Sequence, residues 1–390
     1  MSIFNAGTCN TCRAPGTALT RASGTSSASR RARDDHAAPL PICKEFLMAN
    51  PVSIGLDIGS VSVRAAEVRR GKGRPMIDLF GDVALPDGAM SGGVIKDERA
   101  VTDAVRTLWS NEKFSSKKVR LGISHRQVVV REVEIANLPP KEMKQALPHQ
   151  VRDSVPMPIE QAIFSFRPLE DAPKKETVRG LLIAAPKEPV LATVQAVERA
   201  GLHVEHVDLA AFAVLRAVAS ATTGAEAIVD IGASTTVLVI HRGGVPEIVR
   251  TIPRGGEEIT RMLSARLGLS TAEADSLKRS LGEAPPQLRS DAVDAVRDAL
   301  RPLISELRSS VTFYLNNGHQ RSLNHVTVVG RASLLPGLAD ELHASTNVPV
   351  RAGDPLRFVR SAQHRDSRDE LMEFRAAAAV SVGLNLGAAS

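Results

Sequence analysis

One pattern occurs twice in this chain, and that repetition limits its possible folds more than any other feature. The first copy is Ile54-Gly55-Leu56-Asp57-Ile58-Gly59-Ser60-Val61-Ser62-Val63-Arg64. It reads as a β run, a turn at Gly59-Ser60 and a second β run. Gly59 lets the backbone approach a ligand closely, and the N–H and hydroxyl groups of its neighbours suit an anion-binding nest. Asp57, just before the turn, supplies the hard oxygen that Mg²⁺ prefers. Alone the pattern is weak, because Asp-x-Gly also marks ordinary hairpins. The second copy is Ala227-Ile228-Val229-Asp230-Ile231-Gly232-Ala233-Ser234-Thr235-Thr236-Val237-Leu238-Val239-Ile240. Two Asp-Ile-Gly hairpins in one chain suggest two related halves closing on one nucleotide. A third element, from His325 through Gly330-Arg331-Ala332 to Leu338, reads as strand, glycine turn and helix start, a form that can cover an adenosine.

Further along lies Arg254-Gly255-Gly256-Glu257-Glu258, where a glycine pair opens a helix. Free N–H groups and the helix dipole at such an end favour an anion; a plain helix entry is the alternative. Asp275 and Lys278 are three apart and share a helical face, as a solvated ion pair would.

The order and spacing of these elements resemble the actin-like ATPase superfamily of actin, Hsp70 and the sugar kinases. Within it they resemble the PilM family of type IV pilus assembly, relatives of FtsA. The resemblance covers roughly residues 50–388. It implies an α/β, actin-like ATPase fold, with two related halves around a nucleotide cleft and an inserted 1C-type α/β subdomain. It implies ATP and Mg²⁺ as cofactors, with Asp57 and Asp230 orienting the metal and its water. The Gly59-Ser60-Val61-Ser62 and Gly232-Ala233-Ser234-Thr235 segments would hold phosphates. Gly255, Gly256, Asp275, Lys278 and Gly330 would flank ribose and adenine, with Asp275 where Glu is more usual. Arg64 stands where the family usually has Lys. Arg331 interrupts what is usually a Gly-rich run, so it either stacks on adenine or hinders entry by its bulk. No Gln or Glu stands out as the residue that orients an attacking water, so no catalytic residue is named. At most slow hydrolysis is implied, with ATP acting as a conformational clamp.

Composition narrows the partners. Aromatic residues make up 3% of the 390, with Trp109 and Tyr314 single, which argues against stacking on single-stranded nucleic acid. No apolar run approaches the ~18 residues of a membrane span. Half of the net charge of +6 sits in residues 1–47, so the rest is near balance and a nucleic-acid partner does not follow. That leader is rich in Ser, Thr, Ala, Arg and Gly and reads as disordered. It holds all three cysteines, Cys9, Cys12 and Cys43. Drawn with His36 they outline a zinc site, but the spacing is loose and the segment has no core. The body needs no disulfide, which fits the cytoplasm. Met48 is read as the native start, and the leader as an artefact of the gene boundary.

The rest of the chain is expected to divide into 48–90 and 171–222 as subdomain 1A, 91–170 as the inserted 1C-type subdomain, and 223–252 and 319–370 as 2A. Subdomain 2B is expected at 253–318, and a closing helix at 371–390. Strands are expected at 52–59, 61–69 and 76–85, and again at 226–232, 235–241 and 245–252. Val101, Val105 and Leu108 mark one helical face, and Val190, Leu191, Val194 and Val197 another, ended by Gly201. His203 and His206 decorate a strand, without the carboxylates of a metal site. After Gly256 the inward face reads Ile259, Met262, Leu263 and Leu267. Pro302 is expected to split or bend the stripe at 291–315. A helix is expected at 334–344, and an apolar one at 374–386 packing on the first subdomain.

By resemblance, the chain is expected to be a cytoplasmic assembly platform, peripheral to the inner membrane through partners and not inserted in it. Its partner would be a PilN-like inner-membrane protein bound through a cytoplasmic N-terminal peptide, with the pilus assembly ATPase as a second candidate. The alternatives are an FtsA-like filament former, disfavoured by the lack of a basic amphipathic tail, and a small-molecule kinase of the same fold, which lacks a visible catalytic base.

Overall fold

A computed structural model describes residues 2–3, 52–71, 73–169, 176–220, 224–281, 286–317, 322–362 and 368–387. Nearly all of the leader, with its cysteines and the Met48 start, lies outside the described residues.

The first half is built on a seven-stranded sheet. Its meander, Val52–Ile58, Ser62–Arg69 and Met76–Ala84, is antiparallel. Lys118–Ile123 joins Val52–Ile58 in parallel, and His203–Leu209 follows on the far side. Short strands at Ser2–Ile3 and Arg360–Ser361 complete the two edges. The second half repeats this order in five strands. Its meander is Ala225–Ile231, Thr236–Arg242 and Val245–Ile252, with Leu323–Val329 parallel to Ala225–Ile231 and Val350–Ala352 beyond. Both central strands read as apolar runs because they are covered on both faces. Ile54, Leu56, Ala227, Ile228 and Ile231 are all fully buried.

A third, three-stranded sheet stands apart, in the order Val129–Ala136, Thr177–Pro186, Ala162–Pro168. Helix Pro140–Gln150 packs on it through Leu147, and Val151, which ends the helix, joins the same cluster. Lys118–Ile123, expected in the inserted unit, belongs to the large sheet, with helix Glu98–Glu112 packed behind it through Val101, Val105 and Leu108. Asp97 caps that helix by accepting from Ala100 N–H at 3.0 Å, in line with its Asp-Glu start. Helix Lys187–Arg199 ends as the spacing predicts, at Gly201 with φ +90°.

Helix Ala210–Val218 carries the chain from one half to the other, and one core cluster runs through it from Leu56 and Leu121 to Ile228 and Val239. Just after it, Ser220 donates N–H (2.9 Å) and hydroxyl (2.5 Å) to the buried carboxylate of Glu226. Burial opposes the Glu226 charge, but bonds from His241, Ser220 and Thr327 outweigh it and hold the carboxyl well below the usual range.

Several expectations are corrected. The stripe around Pro302 is not split in two but runs as one helix, Pro286–Asn316. Leu300, Leu303, Ile304 and Leu307 are buried on either side of the proline, and that packing carries the helix across its missing N–H. Met262 turns outward on helix Gly256–Leu267; Ile259 and Leu263 make the inward face, with Leu267 at its edge. The helix expected at 334–344 starts later, at Leu338–Thr346, because Gly337 at φ +81° cannot continue a right-handed helix. The C-terminal helix is two, Arg368–Ala377 and Ala379–Leu386. The first sets Phe374 edge-on against Phe80 at 4.8 Å, and the second packs on Ala210–Val218 and Val52–Ile58.

Candidate functional site

The two meanders bring their Asp-Ile-Gly turns to the same cleft. Each turn is closed in the same way: Gly59 N–H donates to Ser62 O (2.9 Å), and Gly232 N–H to Thr235 O (3.0 Å). The turns also touch, for the Ser60 and Ser234 hydroxyls share a hydrogen bond. The glycine N–H groups thus close the turns, and any anion-binding nest is left to the N–H and hydroxyl groups of their neighbours.

Below the turns lie the two carboxylates. Asp57 Oδ2 stands 3.0 Å from Arg64 Nη2. Burial raises the Asp57 carboxyl, Arg64 opposes this, Asp82 adds to it, and the net direction is up. The Asp230 carboxylate has no hydrogen-bond or ion-pair partner among the described residues. Burial pushes it up to about 6, with the Arg64 field opposing and Asp57 adding. Burial alone would lower the Arg64 guanidinium, but Asp57, Asp82 and Asp230 outweigh it and hold it above its ordinary value. Arg64 is anchored by a bond from Nη1 to Ala377 O at 3.2 Å.

The glycine pair does a different job from the one expected. Gly256 N–H donates to Gly232 O and Glu257 N–H to Ala233 O, both at 2.9 Å, while Glu258 N–H donates to Gly255 O at 3.2 Å. The first N–H groups of this helix are therefore taken, and it is not an open anion site. A Cβ on Gly255 would meet Gly232 O at 2.4 Å and Ala233 O at 2.5 Å. The glycines let the helix seat directly on the second hairpin. Lys278 reinforces that seat: Nζ lies 2.7 Å from Asp275 Oδ1, 2.6 Å from Thr260 Oγ1 and 3.3 Å from Gly256 O. Burial would raise Asp275, but Lys278 and Arg279 outweigh it and lower it. The pair is partly buried beside the hairpin.

Gly330 is fixed by its backbone, at φ +85°, and a Cβ there would meet Ile231 O at 2.4 Å and Asp230 Oδ1 at 2.6 Å. It brings the third element against the Asp230 turn. Arg331, next to it, is ion-paired with Asp82 of strand Met76–Ala84. Asp82 is a cleft residue that the sequence reading missed. Its only signal was register, since Asp57 faces Arg64 and Arg64 faces Asp82 on successive strands.

Four buried polar atoms here lack a hydrogen-bond partner: Asp57 Oδ2, whose contact with Arg64 is an ion pair without hydrogen-bond alignment, Ser62 Oγ, Arg64 Nε and Arg331 Nε. Buried polar groups are normally satisfied, so acceptors and donors together at a cleft suit a polar ligand. Among the described residues no group of three or more His, Cys, Asp or Glu is arranged to hold a metal. That is compatible with Mg²⁺, which is commonly held by one or two carboxylates with water and substrate phosphates.

Residues 55–388 match the family described as type IV pilus assembly protein PilM. The chain belongs to the PilM family. A solved PilM–PilN type IV pilus biogenesis complex superposes with a TM-score of 0.75 at 27% identity, over 86% of this chain and 97% of that one. The ethanolamine utilization protein EutJ from Carboxydothermus hydrogenoformans shares the fold, with a TM-score of 0.52 at 16% identity over 87% and 90% of the two chains. The fold of this PilM-family chain is thus actin-like. The cell division protein FtsA of Bacillus subtilis is 25% identical over 261 residues, 60% of this chain and 59% of FtsA. FtsA of Streptococcus pneumoniae is 24% identical over 334 residues, 73% and 72% of the two. Family membership assigns the chain to type IV pilus assembly. Among the described residues no helix is long and apolar enough to cross a membrane.

Proposed function

We propose that the chain is a cytoplasmic, ATP-binding assembly platform for the inner-membrane complex of the type IV pilus. It reaches the membrane through a PilN-like protein, whose cytoplasmic N-terminal peptide it binds; the pilus assembly ATPase is a second partner. The observation that carries this reading is the likeness to the PilM–PilN complex over nearly all of that PilM-containing chain. The orphaned polar atoms of the cleft support the nucleotide part.

In this reading Asp57 and Asp230 would hold Mg²⁺ with its water, and the metal would neutralise phosphate charge. Asp57 raises the Asp230 carboxyl through its charge, and a cation bound nearby would offset that repulsion. The turn hydroxyls of Ser60, Ser62, Ser234 and Thr235, with the Val61 and Ala233 backbone beside Gly59 and Gly232, line the phosphate side. Gly255 and Gly256 shape the wall, Asp275 and Lys278 its edge, and Gly330 the adenosine side, with Arg64 supplying positive charge. Nucleotide then acts as a clamp through its differential affinity for closed and open halves. The inserted subdomain is assigned to the three-stranded sheet and helix Pro140–Gln150, about residues 125–186. Val129–Ala136 lies against Val245–Ile252 of the second sheet, whereas the other outer strand, Ala162–Pro168, presents an edge to which an extended peptide can add.

The test is calorimetry of the full chain with a peptide of a PilN-like cytoplasmic N-terminus, with and without Mg·ATP. Saturable binding whose affinity changes about fivefold or more with nucleotide is expected. No binding in either state contradicts the platform reading.

A further inference from the structure

The nucleotide reading leaves one feature of the cleft unexplained. Asp57, Arg64 and Asp82 stand at matching positions on three successive antiparallel strands. Matching positions lie on one face within side-chain reach, so alternating negative, positive and negative charge is built into the first sheet. Arg331, from the turn after Leu323–Val329 of the second sheet, adds a fourth charge by pairing with Asp82. Side-chain exposure rises along the row, from 9% at Asp57 to 18% at Arg64, 20% at Asp82 and 37% at Arg331. The row therefore runs from the floor of the cleft to its rim, and its outermost pair joins the two halves.

We propose that Asp82 and Arg331 form a latch across the mouth of the cleft, and that a nucleoside triphosphate passes only when this latch opens. The proposal rests on the nucleotide reading above. Its chemistry is competition. A passing triphosphate draws Arg331 off Asp82 while it crosses the mouth, because phosphate is the stronger anionic acceptor, and the pair re-forms over the seated nucleotide. Arg331 Nε is buried without a partner, so its hold on Asp82 leaves a donor unused, and an unused buried donor is costly. The latch is also backed from behind. Helix Arg368–Ala377 packs on the turn Arg331–Leu334, and the same helix end receives Arg64 through Ala377 O. Opening at Arg331 is therefore felt at the C-terminal helices.

Three variants of the full chain test this: Asp82→Asn, Arg331→Gln and the charge-preserving Arg331→Lys. Arg331→Gln separates the latch from Arg64, which Asp82 also faces. The first readout is hydrogen exchange of the Met76–Ala84 strand and the 330–335 turn without nucleotide. The second is release of a fluorescent ATP analogue with Mg²⁺. Asp82→Asn and Arg331→Gln should exchange faster at both segments and release the analogue about three- to fivefold faster, the effect of roughly one lost, partly exposed ion pair. Arg331→Lys should stay close to the parent. Unchanged exchange and release in the two neutral variants overturn the latch. If the parent itself binds no analogue, the nucleotide reading fails, and hydrogen exchange alone decides whether the two halves are latched.

Discussion

Asp230 is the cleft residue whose chemistry has the clearest measurable consequence. Its carboxyl rises from 3.8 to about 6 on folding, chiefly through burial. Below the lower value it is protonated in both folded and unfolded chains and adds no pH dependence. Between the two values the folded chain holds more proton, so stability falls as pH rises, and above about 6 the loss is complete. Asp230→Asn removes the charge and should be more stable than the parent at pH 7 by about 1–2 kcal/mol, after allowing for solvent screening, and equal to it near pH 4. Denaturant melts from pH 4 to 8 check this; parallel pH profiles for parent and variant contradict it. At this scale the sequence was most legible where the chemistry is local. Asp57, Asp230 and their turns announce themselves within a few residues. Asp82 did not, because its partners become neighbours only once strand register is fixed. The N–H groups of Gly256 and Glu257 were misread for the same reason: their acceptors, Gly232 and Ala233, lie more than twenty residues away in sequence.

Among elements, the strands were legible and the helix limits less so. Both meanders fall within a residue or two of the boundaries read from alternating and apolar runs. The helices differ where packing overrides a local breaker. Pro302 is exposed on the outer side of Pro286–Asn316 while its neighbours are buried. The missing N–H and the ring clash therefore remain as a local cost, which the burial of the neighbours outweighs. Replacing Pro302 by Ala should stabilise the fold by about 1–3 kcal/mol, read as a higher denaturation midpoint with an unchanged slope. A destabilised variant would mean that the proline shapes a bend on which the packing depends. Gly337 had the opposite effect, since its left-handed backbone delays the next helix to Leu338–Thr346. A proline inside a well-packed helix can be overridden; a positive φ cannot be absorbed into one.

At the scale of the whole molecule, the duplicated order of strands explains why two separated hairpins carry one site. In each half the first strand of the meander pairs in parallel with a later strand, which sets both Asp-Ile-Gly turns at strand ends facing the same cleft. Helix Ala210–Val218 and the buried Ser220–Glu226 contacts join the halves away from those turns. Ser60 with Ser234, and Asp82 with Arg331, join them at the cleft. The repeated pattern made this two-half plan readable from sequence. The placement of Lys118–Ile123 in the large sheet was not readable, because the neighbours of a parallel strand are distant in sequence. The most direct test of the nucleotide cleft is calorimetric titration of the full chain, freed of nucleotide, with Mg·ATP beside an Asp230→Ala control. The account predicts saturable binding of one nucleotide per chain that weakens at least about tenfold in the control, as loss of a metal-facing carboxylate would. A folded, nucleotide-free chain that shows no saturable binding would contradict it.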